Sequence, residues 1–213
     1  MTHIAQPQPA APLWLIVCTA LVAVGLVGTS VLLRWLMLAG HEGAHAMMGD
    51  WTGTVVSVTI NSRSGETLVK ADWFGSLLTG FVGYVGPSSF GLLGAAFLDH
   101  DHPVAALWLT IVLLGALLWK TVNPYGLFAM ATLAGLLLIV AWSASVWIQT
   151  AVAYLLVWSL LVVGFEDVRT LSVRSDHTIL RKITWVPATI WAFLHLVLAA
   201  IALLVGGRML LTD

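Results

Sequence analysis

Charge is what this chain has least of. Only 9% of its 213 residues are Asp, Glu, Lys or Arg, whereas a water-soluble globular domain carries about 25%. With 60% hydrophobic residues and a mean hydropathy of +0.97, the main solvent is lipid. Nine basic residues nearly balance ten acidic ones and form no basic stripe, which excludes a nucleic-acid role. Cysteine is almost absent too. Cys18 alone rules out an intrachain disulfide or a cysteine-based metal cluster, and within its apolar run it reads as a small core or lipid-facing residue. Residues 1–12 have no Lys or Arg, so they lack the basic start of a cleaved signal peptide and read as a short disordered tail.

Long apolar runs are what the chain has instead. A membrane span needs about 20 apolar residues, and six candidates follow one another at 13–38, 74–98, 104–119, 126–142, 146–165 and 185–205. The expected fold is all-α and polytopic, about six transmembrane helices in one membrane domain over 13–207, with a short tail at 208–213. Apolar character in the first run continues through Ala46, Met47 and Met48. A helix from 13 to 48 would be about 54 Å long, so it must tilt, break or protrude. Seven of the nine basic residues, Arg63, Lys70, Lys120, Arg169, Arg174, Arg181 and Lys182, fall in alternate loops; Arg34 and Arg208 do not. The positive-inside rule then puts those loops in the cytoplasm and both termini outside.

Between the first two spans, Gly53-Thr54-Val55-Val56-Ser57-Val58-Thr59-Ile60 is rich in β-branched residues. Turn residues Asn61-Ser62-Arg63-Ser64-Gly65 follow, and Glu66-Thr67-Leu68-Val69-Lys70 returns. This predicts a short β-hairpin over about 53–70. It is either a plain connection or an edge to which an extended peptide can add as a strand.

Just before the hairpin lies His41-Glu42-Gly43-Ala44-His45, an H-E-x-x-H pattern. Histidines four apart share one helical face and can reach a single Zn²⁺. Glu42 is then placed to take a proton from a water held by that ion. Ionisable groups beside a membrane span are costly unless used.

A catalytic zinc takes three protein ligands, so a third His, Asp or Glu is expected. Asp50 and Asp72 flank the hairpin. Asp99, His100, Asp101 and His102 cluster before Pro103 but fall on the opposite side of the bilayer and read as an exposed turn. Asp167, closing the fifth run beside Glu166, is on the correct side and is the favoured ligand, unless it simply pairs with Arg169. Asp176 is its rival, unless Ser175 or Asp176 caps the helix entering the sixth span. His195 lies within the last span and reads as a hydrogen-bonding partner of a neighbouring helix; His3 and His177 read as solvated. Gly75, Gly80, Gly83 and Gly86, with Ser76 and Thr79, give the second span a stripe of small residues, for close packing or for a substrate helix. Pro87 is expected to kink that span.

The 41–45 motif, the hairpin after it, Gly83-Tyr84-Val85-Gly86-Pro87-Ser88-Ser89 and Asn123-Pro124-Tyr125-Gly126 together resemble the M50 group of membrane metalloproteases. The likeness covers about 31–191 and is strongest to the small bacterial M50B-like members, relatives of the site-2 proteases. It implies intramembrane proteolysis: His41 and His45 holding one Zn²⁺, Glu42 as general base, a transmembrane protein or peptide as substrate, and a place in the bacterial cytoplasmic membrane with the site toward the cytoplasm. One departure matters. Site-2 proteases draw the third ligand from an Asn-x-x-Pro segment leading to Asp-Gly, and this chain has no Asp-Gly. The Glu166-Asp167 placement resembles the small M50B-like pattern instead. Asn123 is then a candidate for orienting substrate or the oxyanion, or a turn residue. The rival function is a metal-binding transporter or protease-derived scaffold that hydrolyses nothing.

Overall fold

The computed structural model describes residues 11–169 and 175–212. The 1–10 segment, with His3, and Arg174 lie outside them. Among the described residues the chain folds as α1 (Leu13–Leu26), α2 (Val31–Thr52), β1 (Gly53–Ile60), β2 (Gly65–Ala71), α3 (Trp73–Asp99), α4 (Pro103–Lys120), α5 (Pro124–Ser143), α6 (Val146–Val168), α7 (Ser175–Thr184) and α8 (Ala188–Leu211).

Five helices, α3, α4, α5, α6 and α8, are long and apolar enough to cross a membrane, and α1 with α2 makes a sixth span if the bent pair counts as one. The pair is bent by 91°. Of tilt, break and protrusion, the 13–48 run takes the break: it falls at Gly28, which adopts φ +77°, a conformation open to glycine without steric cost. Ser30 restarts the chain as N-cap of α2, its side chain accepting from the Leu33 amide. The break lets α2 set its own angle. The last span holds, but a cap for it at Ser175 or Asp176 is corrected. The 175–184 segment is a separate polar helix, α7, and α8 begins only at Ala188, after Pro187.

Helix α3 is the central slab, in contact with α2, α6, α7 and α8. Its small residues permit this. A Cβ on Gly86 would stand 2.6 Å from Ala44 Cβ of α2, so α2 and α3 approach nearly backbone to backbone. Leu180 of α7 packs over Gly80. The small-residue stripe is thus occupied by the protein's own helices. Pro87 stays inside a helix that continues to Asp99 and sits against Gly40 of α2.

The hairpin pairs antiparallel from Gly53↔Ala71 to Ile60↔Gly65, with an irregularity between Val55 and Ser57. Val58 and Ile60 are fully buried beneath it. The outer edge of β1 is closed: Val58 bridges to Thr121, and Asn123 donates Nδ2 to Ile60 O (2.7 Å) while accepting from Ile60 N (3.0 Å). Asn123 therefore clamps the hairpin to the start of α5. The outer edge of β2 has no ladder partner among the described residues.

Exposed tryptophans mark both ends of the bundle. Trp51, Trp73, Trp119 and Trp185 ring the hairpin end, and Trp14, Trp142 and Trp147 the other, as expected where amphipathic rings sit at the two water–lipid boundaries. Arg63, Lys70, Lys120, Arg169, Arg181 and Lys182 lie at the hairpin end.

Candidate metal centre

Helix periodicity stacks His41 and His45 on one face of α2, with ring centroids 4.8 Å apart. Their Nε2 atoms stand 3.1 Å from one another. Asp176, in the first turn of α7, closes the group: its Oδ2 lies 3.1 Å from His41 Nε2 and 3.3 Å from His45 Nε2. One ligand atom from each of the three falls within 4.8 Å of the others.

The ring orientations are set from outside the cluster. His45 Nδ1 lies 2.7 Å from Thr79 O of α3. A carbonyl can only accept, so Nδ1 carries the proton and, in the neutral ring, Nε2 is a bare lone pair. Asp167 Oδ2 stands 3.7 Å behind His41 Nδ1, longer than a hydrogen bond but on the side where a carboxylate commonly backs a metal-binding imidazole. Three electron-pair donors facing one another at these distances need a cation between them, either protons on the imidazoles or one metal ion. Two nitrogens and a carboxylate oxygen are a donor set that suits zinc. The cradle is also kept clear, because a Cβ on Gly83 would collide with His45 Nε2 and come within 2.9 Å of His41 Nε2. The residues fit the ion.

Burial pushes the Asp176 carboxyl up, but hydrogen bonds with His41 and His45 and the charge of their rings outweigh it. The group is held well below the usual carboxylate range and stays ionised wherever histidine titrates.

Glu42 is almost completely buried at 3% exposure. Thr67 of β2 donates its hydroxyl to Glu42 Oε2 at 2.7 Å, and the Glu42 side chain lies so close to Gly65 that no Cβ fits there. The hairpin therefore covers and orients the motif carboxylate. His41, Glu42, His45, Asp176, Thr79 and β2 from Gly65 to Val69 line one cleft. The Thr79 hydroxyl, buried in its wall, has no hydrogen-bond partner among the described residues.

The structure thus brings together His41, Glu42 and His45, as the motif spacing requires, with Asp176 rather than the favoured Asp167 in the group whose atoms could hold an ion. Asp167 stands behind His41 instead, while Glu166 pairs at the surface with Arg169. Asp50 pairs with Lys120 Nζ at 2.8 Å, and Asp72 caps α3 by accepting from the Gly75 amide. The 99–102 cluster is an exposed turn at the far end. Sequence reasoning missed Thr67 and His177. The latter is 2% exposed rather than solvated. A signal for α7 existed: Asp176 and Leu180, one turn apart, and His177 with Leu180 at three, form an inward stripe.

A family model described as Peptidase M50B-like matches residues 14–206. No curated protein and no solved structure matched the chain.

Proposed function

The chain belongs to the M50B-like peptidase family, and on that premise we propose that it is a zinc metallopeptidase cleaving peptide bonds in or beside transmembrane segments of other membrane proteins. The observation that carries the proposal is the convergence of His41 Nε2, His45 Nε2 and Asp176 Oδ2 in one cleft with a buried carboxylate and an open strand edge. His41, His45 and Asp176 would hold the ion, with Asp167 orienting His41 from behind. When bound, zinc supplies Lewis acidity toward a peptide carbonyl and makes water a competent nucleophile at neutral pH.

The remaining steps belong to the chain itself. Glu42 takes the proton of the attacking water and delivers it to the amine nitrogen as the C–N bond breaks. Thr67 keeps that carboxylate aimed while the hairpin shields it from bulk water. A helical substrate hides its backbone groups in its own hydrogen bonds, so it must be unwound before attack. The open edge of β2 offers those groups an extended partner by strand addition. A site on the cytoplasmic side of a bacterial membrane is the orientation that the basic residues at the hairpin end favour.

Cleavage of a transmembrane peptide by the purified protein in liposomes should stop on full chelation and return when zinc is added back. Cleavage that survives complete metal removal contradicts the proposal.

A further inference from the structure

A helix of only ten residues carries Asp176, and one so short has little stability of its own. Its far end is tied down: Trp73 Nε1 donates to Ile183 O at 3.2 Å and Trp191 Nε1 to Thr184 Oγ1 at 3.2 Å. At the Asp176 end a different contact does this. His177 Nε2 stands 3.1 Å from His195 Nδ1 of α8, and His195 Nε2 stands 3.0 Å from Phe81 O of α3. Both rings are buried, at 2% and 1% exposure.

The directions of these bonds follow from chemistry. Phe81 O can only accept, so His195 Nε2 carries a proton. In the neutral ring Nδ1 is then an acceptor, and His177 Nε2 must donate to it. Each neutral tautomer is thereby specified. Tyr84 completes the arrangement, stacked on His177 with centroids 4.6 Å apart and edge-on to His41 at 4.6 Å. One continuous set of buried rings thus leads from one proposed ligand, His41, to the immediate neighbour of another, Asp176. Consecutive residues on a helix point about 100° apart, so pinning His177 fixes the rotation of α7 and with it the direction of Asp176. Helix α3 is the shared base, holding His45 through Thr79 O, His195 through Phe81 O, and His41 and His177 through Tyr84.

We propose that the buried His177–His195 hydrogen bond is a positioning device that aims Asp176 at the metal, so that metal affinity depends on two residues that never touch the ion. The inference rests on the three-ligand reading above. Two polar rings in an apolar bundle are costly to bury unless their hydrogen bonds are made, and this pair makes them where α7 meets α8.

Cobalt(II) titration, read by the visible spectrum of the bound ion, tests it on the full chain in detergent. Unfolding midpoints of the metal-free variants are recorded alongside. His195→Leu removes donor and acceptor and should weaken cobalt binding by about 10–100-fold, the usual cost of losing a partner behind a ligand, with a changed spectrum. His195→Gln, which keeps one donor and one acceptor, should restore affinity and spectrum toward wild type. If His195→Leu does not fold, His177→Phe keeps a ring on Tyr84 without the donor and should weaken binding likewise. Folded His195→Leu or His177→Phe protein with wild-type affinity and spectrum overturns the inference while leaving the metal centre intact. Wild-type protein that binds no cobalt overturns the three-ligand reading itself, and the positioning role with it.

Discussion

Replacing Glu42 by Gln should leave one zinc per chain in place and lower peptide cleavage by about 10²–10⁴-fold, the usual contribution of a positioned general base. The substitution is nearly isosteric. The Gln carbonyl can still accept the Thr67 hydroxyl that now bonds Oε2 at 2.7 Å, so the hairpin should keep its place over the motif. What is lost is the ability to take a proton. Metal content by mass spectrometry and cleavage of a reconstituted transmembrane peptide are read on the same preparation. Cleavage close to wild type in the variant contradicts the role of Glu42 as base; a transporter or scaffold has no use for that proton acceptor, so wild-type protein that cleaves nothing, with metal handling unchanged in the variant, argues for one of those instead.

The second large effect concerns the two aspartates. Asp176→Ala removes the oxygen that lies 3.1 and 3.3 Å from the two imidazole nitrogens. It should strip zinc from protein purified without added metal, and cleavage should vanish with it. Asp167→Asn changes only the group 3.7 Å behind His41 Nδ1. It should weaken binding by about 10–100-fold, the range for outer partners, and excess zinc should restore activity. Zinc affinity of both variants, by competition with a chelating dye, separates the roles. If Asp167→Asn loses zinc outright while Asp176→Ala keeps it, the assignments are exchanged.

That contrast shows where the sequence stopped being readable. The spacing of His41 and His45 is a local property of one helix, and period alone places both rings on the same face. The hairpin was equally legible from its β-branched run and turn residues. The third ligand is not local. The proposed one, Asp176, sits on α7, whose residues at 175–184 read as a loop or cap between spans and whose inner face is covered where Leu180 meets Gly80 and His177 meets His195. Asp167, at the end of a long apolar run, gave the clearer signal because an acidic group there stands out. It does face the site, but one layer back. The break in the first run was written in Gly28-Thr29-Ser30, a left-handed glycine followed by a capping serine, within a stretch apolar enough to read straight through. His177 looked solvated because its neighbours in sequence are polar, whereas its neighbours in space are Tyr84 and His195.

Asn123 teaches the same distinction from the other side. The Asn-Pro element left open a residue over the substrate or a cap or turn; Asn123 stands at the N-cap of α5 with both amide atoms used by the backbone of Ile60. Its contribution is to seal the outer edge of β1, which leaves β2 as the edge that can still pair.

Anomalous diffraction at the zinc edge, on crystals of wild-type protein prepared without chelator, addresses the metal centre most directly. One peak is expected, about 2.0–2.2 Å from His41 Nε2, His45 Nε2 and an oxygen of Asp176. A peak bound by Asp167 instead, or no peak between the two histidines, would contradict the account.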